Sequence, residues 1–252
     1  MKKNLQVHLI QRTPEAERLL ALAKNTRLLG GEDPYAVYNR PMEEVMQDVQ
    51  YSMDTIRGPL EFVHYVFLIQ NASRAMTHQL VRHRVVSFAQ QSLRISESLD
   101  YYIPPGIEFS EVNNRIFEDY METTHKVYKR LMEVGADRQD ARGVLPIATT
   151  SAILMKANLR AMLELFEVRL CLRVQGEFQD AALQMRDLLV SVHPWTARYA
   201  GVHCLVKGTC LFPRFDCPVS NAVPELKGLP PERRDIVNNV WSHLSGKGFQ
   251  PK

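Results

Sequence analysis

At 252 residues, 45% of them hydrophobic and 23% charged, the chain has the composition of a folded globular protein and the length for one substantial core or two small ones, which excludes a disordered chain. Its longest apolar runs, residues 65–69 and 152–155, fall far short of the roughly 18 residues that a membrane-spanning helix needs, so no membrane partner is expected. A formal charge of +3 admits an anionic ligand but is too small for a general nucleic-acid binder. Residues 1–8 carry two lysines with no apolar run or cleavage site behind them, so no secretory leader is expected and the cytoplasm is the expected location. In that reducing compartment the four cysteines read as free thiols.

Taken in order, residues 5–10 alternate and suit a short strand. Thr13 and Pro14 then stand as N-cap and first residue of a helix running to about Asn25. Residues 30–34, rich in Gly and Pro, break that helix, and residues 41–53 predict a second one. Residues 62–69 are β-branched and aromatic and predict a strand, after which Asn71 is the expected cap of a helix carrying Ala72, Ala75, Met76 and Leu80. Ser110 caps a predicted helix in which Val112, Ile116, Tyr120, Val127 and Leu131 share one face, closed by Gly135. Residues 149–156 read as another strand, followed by one long helical region over residues 158–192. The expectation is an α+β fold, an antiparallel or mixed sheet packed with long helices. Residues 1–195 form the predicted catalytic domain. Residues 196–252, rich in Pro, Gly and Cys, form an extension packed on it, irregular up to a last helix at 231–244.

The densest polar cluster is Arg82-His83-Arg84 with Ser87, Gln90, Ser92 and Arg94. Guanidinium forks match phosphate oxygens and serine hydroxyls complete such a shell. Ser92 and Arg94, two apart, share a face if the segment is extended. Read without wider context, Arg-His-Arg is a solvated helix end whose cations suit the dipole.

The wider context gives it more weight. Arg-His-Arg followed by seven residues and then serine, here Arg82 to Arg84 with Ser92, resembles the signature of the flavin-dependent thymidylate synthases. Gln79, the segment from Arg142 to Pro146 (Arg-x-x-Leu-Pro), Asn158-Leu159-Arg160, and Arg169 with Gln175 and Glu177 are similar to further family motifs in the same order, over roughly residues 5 to 195. The resemblance implies FAD, a 2′-deoxyuridine 5′-monophosphate substrate, methylenetetrahydrofolate as carbon donor, NADPH as reductant, and a homotetramer whose flavin sites are shared between subunits. It places Arg82, His83, Arg84, Asn158 and Arg160 at the flavin, and Gln79, Gln90, Ser92, Arg94, Arg142 and Arg169 at the nucleotide. Arg169 and Ser92 are the candidate catalytic positions, Arg169 for charge stabilisation and Ser92 as a hydrogen-bonding ligand, since a nucleophilic serine needs a positioned base.

Ile56, Ala89, Ile95 and Arg173 depart from the family pattern. A sister reaction, hydroxymethylation of the same nucleotide, is therefore the alternative, with a nucleic-acid-binding module a distant third. In the tail, Cys204, Cys210 and Cys217, with His203 beside the first, lack the short Cys-x2–4-Cys pair of structural zinc, so no metal is expected.

Overall fold

The computed structural model describes residues 1–26, 29, 33–95, 99–207, 209–212 and 217. The predicted break at residues 30–32 and the predicted last helix at 231–244 lie outside them. Four antiparallel strands make one sheet in the order β1 (Gln6–Arg12), β2 (His64–Ser73), β4 (Thr150–Asn158), β3 (Val86–Gln90). The expected α+β class is observed, with an antiparallel sheet.

Alternation decides which face of the sheet is covered. Tyr65, Phe67 and Ile69 of β2 and Ile153, Met155 and Ala157 of β4 point to one side and are fully or almost fully buried. Each large side chain so buried contributes about 1.5–3 kcal/mol. Helices α8 (Leu159–Arg169) and α9 (Gly176–Val192) cover that face through Leu163, Phe166, Phe178 and Met185. Val7 N–H donates to Gln184 Oε1 at 3.0 Å and fastens α9 to β1. Helices α1 (Ala16–Asn25) and α3 (Met42–Asp54) pack on each other beside the sheet, with α2 (Pro34–Tyr38), capped by Asp33, between them in sequence.

Three local expectations are corrected. Helix α1 begins at Ala16 rather than at Pro14, because Thr13 prolongs the pairing with β2: its N–H donates to His64 O (3.0 Å) and its Oγ1 accepts from His64 N (2.8 Å). Asn71 does not cap the next helix. It lies at the β2/β4 bulge with φ 58°, a left-handed conformation that asparagine tolerates, and Ser73 caps α4 (Arg74–Leu80) by accepting from Met76 N at 3.1 Å. The long helix over residues 158–192 is split, since residues 170–175 turn so that α9 can start against α4.

Among the described residues the remaining α-helices are α5 (Pro105–Glu108), α6 (Glu111–Glu133), α7 (Arg138–Ala141) and α10 (His203–Lys207), of which only α6 was anticipated from sequence. Helix α6 is capped by Ser110 and followed by Gly135 (φ 91°), as predicted. Its apolar face is not inside, however: Val112, Ile116, Tyr120 and Val127 are all exposed.

Beneath the sheet, the Tyr65 hydroxyl and His193 Nδ1 lie 2.6 Å apart, both residues buried. Burial holds the His193 pKa below its ordinary value, with Glu17 opposing that shift and Arg12 adding to it, so the ring rests neutral against the hydroxyl. The unfolded chain takes up a proton on this ring near pH 6.5 while the folded chain resists it, so stability falls as pH drops through that value toward the lower folded pKa. Thermal melts from about pH 7.5 to about pH 5.5 are expected to show that loss, and His193→Gln is expected to flatten it; an equal slope in the variant would assign the loss elsewhere.

Candidate active site

Two helix ends and one helix start meet at the edge of the covered face. Helix α4 delivers Gln79 and leads into Arg82, His83 and Arg84; α8 ends on Arg169; α9 begins after Gln175. The anchor is Glu177, 1% exposed, whose carboxylate accepts from Ser73 N (2.7 Å) and from the Ser73 hydroxyl. Burial raises the Glu177 pKa, and the two Ser73 hydrogen bonds oppose that rise. The join aligns α9 with α4, and Gln79 Nε2 then donates to Gln175 Oε1.

Arg169 is half-buried. Its guanidinium lies over the Phe178 ring at 4.4 Å, and its Nε donates to His83 Nε2 at 3.3 Å. The His83 ring meets Phe178 edge-on at 6.2 Å. Burial, then the charge of Arg169, lowers the His83 pKa, which keeps the ring neutral and able to accept. Burial, then Arg82, lowers that of Arg169, though an arginine in such surroundings keeps its charge.

Strand β3 carries the rest of the signature. Its five residues pair with β4, while Arg82 to Arg84 follow the end of α4 directly. Gln90 Nε2 donates to Thr77 Oγ1 (2.9 Å) and Ser151 Oγ (3.0 Å). Beyond β3 the chain turns: Ser92 Oγ accepts from Arg94 N at 3.2 Å and Ser92 O from Ile95 N. Ser92 and Arg94 therefore sit in a turn and not side by side on an extended face.

The fold brings Gln79, His83 and Arg169 together, with Arg82 in electrostatic range. It sets Gln90 against α4 and places Arg142 beside Arg74. It does not gather the others there. Asn158 caps α8, its Oδ1 accepting from Ala161 N at 2.8 Å, and Arg160 is held by Glu61 (2.9 Å) and Glu164 (3.1 Å). Two residues escaped the sequence reading. Phe178 is the plate under Arg169. Arg74, the first residue of α4, places a cation against the positive end of the helix dipole; that mismatch was a legible sign of another role.

The described arginines other than Arg12, Arg138, Arg173 and Arg198 divide into two groups. Arg18, Arg40, Arg57, Arg115, Arg130, Arg160 and Arg186 pair with carboxylates. Among the described residues Arg74, Arg82, Arg84, Arg94, Arg142 and Arg169 pair with none, although they fall in or beside the signature segments. No group of three or more His, Cys, Asp or Glu among the described residues is arranged to hold a metal ion.

The family model described as thymidylate synthase complementing protein matches residues 8–195. The chain belongs to the flavin-dependent thymidylate synthase family. A family member of Nitratidesulfovibrio vulgaris is 38% identical over 181 residues, covering 66% of this chain and 74% of that one. Another, of Geobacter sulfurreducens, is 33% identical over 220 residues, covering 82% and 90%. The fold is similar to that of a UMP/dUMP methylase, PolB, of Streptomyces cacaoi bound with 5-Br dUMP: TM-score 0.66, 23% identity, 79% of this chain and 97% of that one.

If the Ser73–Glu177 join sets this geometry, Ser73→Ala should destabilise the protein by about 1–3 kcal/mol, because the carboxylate loses its hydroxyl donor in a buried place. Urea unfolding measures this; an unchanged midpoint would mean that the join is not what holds α4 to α9.

Proposed function

We propose that the chain converts 2′-deoxyuridine 5′-monophosphate to 2′-deoxythymidine 5′-monophosphate, with FAD as its flavin, methylenetetrahydrofolate as carbon donor and NADPH as reductant. Family membership supports the reaction, and the observation that carries the site is the set of arginines without carboxylate partners around the Arg82–Arg84 signature. FAD brings a pyrophosphate and the substrate a monophosphate, and unneutralised guanidinium groups are the donors such anions require.

The residues fit a flavin. Arg82 and Arg84 are exposed and pair with no carboxylate among the described residues, which leaves them open to a pyrophosphate. Arg160 has to exchange Glu61 or Glu164 for a phosphate, and Asn158 would act beside its capping role. Bound there and reduced by NADPH, the flavin would supply a hydride for the pyrimidine. The protein's part is binding, orientation and charge. His83 fixes Arg169 through Nε, which leaves the two Nη groups to face the carbonyl edge of the pyrimidine and stabilise negative charge as the ring is activated. Gln79 and Gln90 read the base edge. Ser92, Arg94 and Arg142 hold the phosphate, with Ser92 set by its contact to Arg94 N. No cysteine nucleophile is needed.

Residues 1–195 act as the catalytic unit and 196–252 as an extension packed on it. The unit works as a homotetramer in the cytoplasm. The exposed apolar stripe of α6 and the exposed Leu154 on the outer face of the sheet supply surfaces for such an assembly, and the exposure of Arg82 and Arg84 suits flavin sites completed by other copies. No helix among the described residues is long and apolar enough to cross a membrane.

Titrating the purified flavoprotein with the nucleotide is expected to shift the flavin absorbance bands; protein that cannot take up FAD would refute the reading. Arg169→Ala should abolish turnover while the oligomer stays folded, and full activity in it would remove Arg169 from the chemistry. Arg94→Ala should lose a charge-assisted contact of about 1.5–3 kcal/mol, raising the nucleotide KM roughly tenfold to a hundredfold. A fall in kcat alone would place Arg94 elsewhere.

A further inference from the structure

All four cysteines of the chain come to one place. Cys171 lies in the turn between α8 and α9, and Cys204 lies on α10, which packs against α8. Cys171, Cys204 and Cys217 rest on the same hydrophobic cluster, while Cys210 is exposed and its sulfur accepts from Phe212 N at 3.3 Å. Cys204 is within electrostatic range of the other three sulfurs, and Cys171 of Cys210 and Cys217. No two of them form a disulfide.

As thiols this grouping serves no part of the proposed reaction. A divalent cation would give it a role, because it binds thiolates and compensates their mutual repulsion. The tail alone offers three sulfurs without a short Cys-x2–4-Cys pair; the fold supplies the fourth from Cys171 and so completes a ligand number that suits zinc. His203 is committed elsewhere, with Nδ1 3.0 Å from Glu167 Oε2 and Nε2 3.1 Å from Thr209 Oγ1, which leaves the cysteines as the donor set.

We propose that Cys171, Cys204, Cys210 and Cys217 bind one zinc ion as a closed four-thiolate centre that fastens the C-terminal segment to the α8–α9 turn. The sulfurs are not drawn round an ion as they stand. Zinc–sulfur bonds of about 2.3 Å bring tetrahedral sulfurs to about 3.8 Å of one another, so binding draws Cys210 and Cys217 inward onto Cys171 and Cys204. The centre has no open position for substrate. It is structural, and it lies two residues from Arg169, so it steadies the end of α8.

The test uses full-length protein from zinc-supplemented medium, dialysed against metal-free buffer and measured by elemental analysis together with thiol titration. Near-stoichiometric zinc is expected, with thiols that react slowly until a chelator removes the metal. Cys210→Ser is the decisive variant because the side chain is exposed and its loss leaves the core intact; zinc should drop to background while circular dichroism stays unchanged. Cys171→Ser should lose zinc as well. Zinc at trace level in the wild type, iron in its place, disulfides among the four, or full zinc retention in Cys210→Ser would each overturn the proposal. Since metal content is read without substrate or flavin, failure here leaves the proposed reaction untouched, and loss of activity with zinc intact leaves this centre standing.

Discussion

A buried carboxylate meeting a serine fixes the working edge of this protein. Glu177 opens α9 and Ser73 closes β2, 104 residues earlier, and the two join by a backbone and a side-chain hydrogen bond in a place without solvent. Burying a carboxylate is costly, and only donors held at the right spot offset it. Ser73 meets that need while its oxygen also caps α4, so one residue sets the direction of one helix and the start of another. Gln79 with Gln175, and Arg169 over Phe178 with His83 at its side, are the consequences.

The same edge gathers positive charge. Arg82 lowers the pKa of Arg169, and Arg142 lowers that of Arg74, each effect second to burial. Carboxylates could have relieved this repulsion, as they do for Arg160, yet none stands beside these four residues among those described. A phosphate entering the site gains that relief in addition to its hydrogen bonds. On the proposed reading, the stability given up to cationic repulsion would return as binding energy for an anionic ligand.

Strands β2 and β4 were legible because period-two burial of large apolar side chains leaves a clear mark, and α6 because cap and spacing agree. The signature itself stood out as a run of arginines. What escaped notice depends on partners far along the chain. The turn at residues 170–175 exists because Gln175 and Glu177 find α4, and no local propensity records that. Asn71 and Ser73 are both acceptable caps, and the bulge in β2 decides between them. Strand β3 was hidden inside a cluster whose charges drew attention from its alternation. Cys171 could not be grouped with the tail cysteines until α10 was seen to lie on α8.

The most direct measurement is the mass of the product. Purified enzyme is supplied with FAD, NADPH, methylenetetrahydrofolate and 2′-deoxyuridine 5′-monophosphate, and the nucleotide is analysed by mass spectrometry. Accumulation of the 5-methyl nucleotide, dependent on both reductant and flavin, is the predicted result; a 5-hydroxymethyl nucleotide, or unchanged substrate with a fully loaded flavin, would contradict it.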